Sequence, residues 1–185
     1  MTGSSLAGQL LVATPHLSDP HFDRTVVLLL GHGPDGAYGV VLNRPTEVAV
    51  DAVLPGWEGL VTGPKTLFEG GPVTPEAAVC LGYARRDAAP DGFTAIDGRI
   101  GVLDLSREPL TLAEDIEHVR VFAGYAGWGA GQLESELESG AWFVFHSLPS
   151  DPFASRPEDL WPLVLKRQGG LIAAVALFPA DPGLN

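Results

Sequence analysis

Four side chains able to bind metal or move protons crowd one short segment. They are His16, Asp19, His21 and Asp23, in the stretch from Pro15 to Arg24. Imidazole and carboxylate are acceptable zinc ligands by type, but the spacing matches no known metal signature. The plainer reading has Asp19 cap a turn, Phe22 enter the core and Arg24 pair with a carboxylate. Asn43-Arg44-Pro45 comes next. Arg44 offers a planar fork suited to carboxylate or phosphate, whereas Asn43 is first a turn-former. Lined up with Gly70 and Gly71, these two could hold a small anion. A third candidate is the run of Gly127, Gly129 and Gly131, ahead of a helix that opens with Gln132 and Glu134. Glycines there let the chain turn sharply, and free amides at a helix start attract anions. The equally available reading is close packing beside Trp128 and Trp142. The ligand-binding set predicted is Asn43, Arg44, Gly70, Gly71, Gly129, Gly131 and Gln132.

Other constellations fall short of a reaction centre. The glycine run lacks the Gly-Lys-Ser/Thr of a phosphate loop and the context of a dinucleotide fingerprint. His146 and Ser147 are sequence neighbours, but a triad meets in space and its nucleophile needs a strained elbow. Ser147, Ser150 and Asp151 read as loop polar residues. Glu134, Glu136 and Glu138 read as a solvated helix face, with nothing to split their pKa values. The single cysteine, Cys80, lies in the apolar run Ala77-Ala-Val-Cys-Leu and reads as a buried thiol; a redox role is the alternative. No catalytic residue, metal site or cofactor is expected.

The charge excludes one class of partner. The 185 residues carry a net charge of −12, and a field of that sign repels phosphate backbones. Direct nucleic-acid binding is therefore disfavoured. The amino terminus lacks the charged and apolar regions of a secretory signal. The longest apolar run, residues 171–178, is too short to cross a bilayer. These features predict a soluble, cytoplasmic protein whose partner is another protein or a small molecule, not a membrane.

The elements that must position these groups read as strands with helices inserted irregularly, which favours α+β. Strands are expected at residues 9–13, 25–30, 37–42, 67–69, 77–84, 93–96, 100–105, 119–125 and 141–146. The second is apolar without alternation, the mark of a strand covered on both faces. Residues 31–36 read as a turn. Short helices are expected at 50–54 and from about 131 to 139, the latter closed by Gly140. Thr111 with Glu114, and Ser155 with Glu158, have capping-box spacing. Pro162 either kinks the second of these helices or delays its start. Lys166 and Arg167 suit its carbonyl end. Residues 171–178 fit a strand or a buried helix equally.

Five ordered blocks give the chain a resemblance. They are Gly8-Gln-Leu-Leu-Val-Ala-Thr14-Pro15, Asp19-Pro-His-Phe22-Asp-Arg24-Thr-Val-Val, Gly36-Ala-Tyr-Gly-Val-Val-Leu-Asn43-Arg44-Pro45, Gly70-Gly71-Pro72-Val73, and Gly124-Tyr-Ala-Gly-Trp128-Gly-Ala-Gly-Gln132-Leu-Glu134 with Gly140-Ala-Trp142. Together they resemble the YqgE/AlgH family of bacterial proteins. The resemblance implies one domain over residues 1–185, with a strongly bent, partly barrel-like mixed β-sheet surrounded by helices. It implies no established activity. One family member's name attaches it to alginate regulation, and a transcriptional role has spread from that name; the charge argues against that role here. One departure stands out: Gly82 falls where the family commonly carries a histidine. The sequence thus points to a non-catalytic regulatory or binding module, with an enzyme acting on a small anionic compound as the alternative.

Overall fold

The computed structural model describes residues 4–87 and 89–180. Two apolar strands start the architecture. Gln9–Ala13 (β1) and Val26–Gly33 (β2) pair antiparallel. Side chains alternate across a strand, so Leu10, Val12, Val26, Leu28 and Leu30 enter one core while Leu11, Ala13, Val27 and Leu29 enter another. The uninterrupted hydrophobic run is the sequence of a strand with both faces covered. β2 continues through Gly33, so the expected turn shrinks to Pro34-Asp35, and Gly36–Val41 (β3) pairs back from Gly36.

Pro45–Ala49 (β4) is a strand that the sequence reading missed. Proline opens it, a position that needs no ladder donor. Val50–Val53 (α1) and Thr66–Glu69 (β5) follow, and β5 pairs β4 antiparallel. Val73–Ala84 (β6), Phe93–Asp97 (β7) and Ile100–Leu103 (β8) form an antiparallel arm. Pro109–Leu112 (α2) leads to the long Ile116–Gly129 (β9). Gln132–Glu138 (α3), Trp142–His146 (β10), Leu160–Gln168 (α4) and Gly170–Val175 (α5) complete the order.

The strands form one curled, mixed sheet, in the order β10-β1-β2-β3-β9-β6-β8-β7. β5 adds to β9 in parallel, with Phe68 opposite Phe122. α4 buries Leu160, Trp161, Val164 and Leu165 on one face of the sheet, and α3 buries Leu133 on the other. A third core gathers Val50, Trp57, Cys80, Ile116, Val119 and Val121 at the far arm.

Several local expectations are corrected. Gly127 and Gly129 lie inside β9 and pair with Tyr38 and Gly36, so they continue a strand instead of turning it. Only Gly131, at φ 72°, makes the sharp entry to α3. Neither capping box forms. Thr111 sits inside α2 and its hydroxyl donates to the carbonyl of Glu108, 2.7 Å away. α4 begins only at Leu160, which places Pro162 in its first turn, where a missing N–H costs nothing. Residues 171–178 are neither a strand nor a buried helix: α5 ends at Val175, and Leu171 and Leu177 are exposed.

The sheet closes on backbone contact. Gly71 adopts φ 152°, and a Cβ there would lie 2.3 Å from the carbonyl carbon of Tyr125. A Cβ on Gly70 would lie 2.2 Å from the carbonyl oxygen of Gly124. Both are far inside van der Waals contact, and the obstacle is β9 backbone that cannot step aside. Gly71→Ala is expected to lower unfolding stability by about 3 kcal/mol or more, in the range reserved for core disruption. Urea denaturation checks this; a loss under about 1 kcal/mol would show that the crossing can relax.

Candidate functional site

The loop from Thr14 to Thr25 is held in shape by hydrogen bonds to backbone. Asp19 Oδ1 accepts from the amide of His21, as a turn cap should. Phe22 packs on Trp128 and edge-on to Trp142, with centroids 6.1 and 5.5 Å apart. Asn43 Nδ2 donates to the carbonyl of Arg24, and its Oδ1 accepts from the amide of Val26. Arg44 donates to the carbonyls of Pro20, His21 and Asp23. Two members of the predicted anion set therefore grip the loop.

What the loop presents is Arg24. Its φ of 53° is unusual for a side-chain-bearing residue. It pairs with no carboxylate among the described residues. Its guanidinium lies 4.6 Å over the ring of Trp161 on α4 and donates to the carbonyl of Phe178. Stacking on an indole face suits this delocalised cation. Trp161 is itself fixed, because its Nε1 donates to the carbonyl of Ala13, 2.9 Å away in β1. Beside the pair opens a cleft of about 690 Å³, lined by Thr14 to Ser18, Pro20, Asp23, Arg24, Trp161 and Phe178 to Ala180. Its size is that of a small-ligand pocket, and its wall is largely apolar. Three motif residues, Thr14, Pro15 and Arg24, meet here.

Two further cavities, of about 650 and 360 Å³, lie beside Tyr83 and His118 and beside His32 and Trp128. None of the three is lined by Asn43, Arg44, Gly70, Gly71, Gly129, Gly131 or Gln132. Gly70 and Gly71 serve the chain crossing. The amide of Gly129 donates to Gln132 Oε1 at 3.0 Å, which occupies that donor. Gln132 Nε2 donates to Glu136 Oε1, and the indole N–H groups of Trp128 and Trp142 both donate to Glu136 Oε2, at 2.9 and 2.8 Å. Glu136 was expected on a solvated face; it anchors the aromatic cluster.

Groups with reactive potential are engaged in the same way. His32 Nδ1 accepts from the amide of Leu6 at 3.0 Å, so its Nε2 carries the proton that meets Glu134 Oε1 at 2.8 Å. Neither nitrogen is left as a base. That hydrogen bond holds the Glu134 carboxyl below the usual range. Asp151 accepts both forks of Arg167 at 2.7 Å and the amide of Leu148, which fixes the turn Asp151–Phe153 to α4. Arg167 thus serves an ion pair more than the helix end. Ser147 donates weakly to Leu148, and His146 is exposed. Among the described residues, no group of three or more His, Cys, Asp or Glu is placed to hold a metal.

Arg120 was overlooked in the sequence. It is fully buried in β9, yet it faces carbonyls alone: Pro152, Ala154 and Gly63 accept its hydrogen bonds, and Phe68 lies beneath its guanidinium at 4.3 Å. Burial pushes this guanidinium down to about 10. The available signal was an arginine inside the apolar stretch Val119-Arg120-Val121-Phe122. At Gly82 an added Cβ would lie 2.8 Å from the side chain of Leu103. A larger residue there requires Leu103 to move.

The curled, mostly antiparallel half-barrel with helices on both faces defines an α+β class. A family model described as AlgH-like matches residues 10–173, and the chain belongs to that family. A "UPF0301 protein" of Streptomyces avermitilis is 52% identical over 186 residues, covering 98% of this chain and 96% of that protein. A relative of the same name in Mycobacterium leprae is 44% identical, covering 97% and 90%. A Corynebacterium diphtheriae crystal structure superposes with a TM-score of 0.88 at 34% identity, covering 92% and 91% of the two chains. The solution structure of the AlgH protein from Pseudomonas aeruginosa gives 0.71 at 28% identity, covering 97% of each. No helix among the described residues is long and apolar enough to cross a membrane.

Two outcomes test the engaged groups. Arg167→Met leaves the 2% exposed Asp151 carboxylate without its counter-ion and is expected to cost about 3–5 kcal/mol by urea denaturation. Cys80 is 1% exposed, and burial pushes its thiol far above the ordinary range. It should resist iodoacetamide in the native protein and react promptly in denaturant, read by mass spectrometry. Rapid native alkylation would restore the redox reading.

Proposed function

We propose that this chain is a non-catalytic, cytoplasmic binding module whose recognition site is the Arg24–Trp161 cleft. The carrying observation is that guanidinium, stacked on an indole face and lining a largely apolar cavity of about 690 Å³. Beyond its bond to Phe178, the Arg24 guanidinium has no hydrogen-bond partner among the described residues. A ligand with an apolar body and a carboxylate satisfies both parts. The carboxylate takes the free donors in a charge-assisted, bidentate bond, and the body replaces water along Trp161 and the prolines. This keeps the small anionic ligand of the sequence reading but moves its anchor from Arg44 to Arg24. Asn43 and Arg44 become the residues that set the loop. The net charge of −12 argues against a phosphate backbone as the partner.

Calorimetric titration with phenylacetate and hexanoate tests the reading. Ligands of this size are expected to bind at about millimolar Kd. Arg24→Gln should weaken binding about tenfold or more while leaving the circular dichroism spectrum unchanged. No binding by either carboxylate, or equal binding by the variant, would remove the site. Chemical conversion of a bound ligand, followed by NMR, would favour the enzyme alternative.

A further inference from the structure

The cleft is closed on one side by the chain itself. Residues Phe178, Pro179 and Ala180 lie along it, and the carbonyl of Phe178 occupies a donor of Arg24. Apart from that bond, the amide of Phe178 donates to the carbonyl of Val175, 3.1 Å away. Phe178 is 55% exposed and Leu177 is 78% exposed. The contact is therefore a backbone acceptor on a guanidinium beside an indole, with an aromatic–proline pair carried along the wall. Pro15, Pro20 and Trp161 line the same cleft. The segment is bent at Phe178 and Ala180, and its proline restricts the free peptide and so lowers the entropy lost on docking.

From this we propose that the cleft is a peptide-recognition site, and that residues 178–180 are its resident occupant. The partner it fits is a segment of another protein with an aromatic residue followed by proline, whose main-chain carbonyl takes Arg24. The tail competes from within the same chain. Tethering gives it an effective concentration of about millimolar, so a partner must bind more tightly than that to displace it. The proposal rests on the cleft being the recognition site, puts a main-chain carbonyl in place of the carboxylate on Arg24, and adds a competitor.

The probe is the blocked peptide acetyl-Leu-Phe-Pro-Ala-amide, which copies residues 177–180 and carries no carboxylate. It is titrated into the full chain and into a chain ending after Leu177, with folding checked by circular dichroism. The shortened chain should bind it at least about tenfold more tightly than the full chain. Arg24→Gln in the shortened chain should abolish that gain, and a peptide with alanine in place of phenylalanine should bind weakly. Should the shortened chain fail to fold, Phe178→Gly in the full chain loosens the same occupant and should raise peptide affinity. Equal affinity in full and loosened chains overturns the proposal. Binding of phenylacetate without binding of the peptide overturns it too, and leaves the carboxylate reading standing. Binding of neither removes both.

Discussion

Two runs of backbone touch where Gly70-Gly71 crosses β9, and the curled sheet depends on that contact. Val41 donates to the carbonyl of Gly70, and Gly70 donates to that of Ala123, so the crossing ties β3 to β9. β9 then carries β3, β5 and β6 as direct partners. A side chain at either glycine would force the strands apart. One face receives α4 and Trp161, and the other receives α3 and the tryptophan pair gathered on Glu136.

The same economy explains the loop that presents Arg24. Asn43 and Arg44 follow β3 with only Leu42 between, so they are delivered to the loop by the strand that the crossing fixes. Their donors reach backbone carbonyls of residues 20–24, and the loop has no choice but to hold Arg24 with an unusual φ. Strain at such a residue persists when its surroundings determine it from several sides. The positioning residues are thus polar and conspicuous in the sequence, while the group they position is ordinary in composition.

That contrast sets how far the sequence could be read. The strands of β1, β2, β3 and β10 were legible because apolar runs and their punctuation are local properties. The α+β class was legible in the irregular order of strands and helices, whereas the bent sheet came from the resemblance; the AlgH-like match and superpositions support both. β4 was lost because a proline at its head looks like a stop, and only pairing with β5 makes it a strand. The glycines of β9 look like a turn in isolation; their extended form is imposed by β3. Both capping boxes matched in spacing but lost to tertiary geometry. Glu136 could not be told from Glu134 and Glu138, since the indoles that select it arrive from β9 and β10. Arg24 and Trp161 lie 137 positions apart and meet only after folding.

Arg120 shows how separate parts of the chain share one fate. Its donors bridge the segment at Gly63 to the turn at residues 152–154, from the middle of β9. Its Nε has no hydrogen-bond partner among the described residues, so this buried cation depends on those carbonyls staying in place. Partial opening of either segment strands a desolvated charge, so fluctuations that lift one edge are penalised at the other. The protein should open in this region as one cooperative block, and slow amide exchange should extend across three stretches of sequence that no helix or hairpin joins.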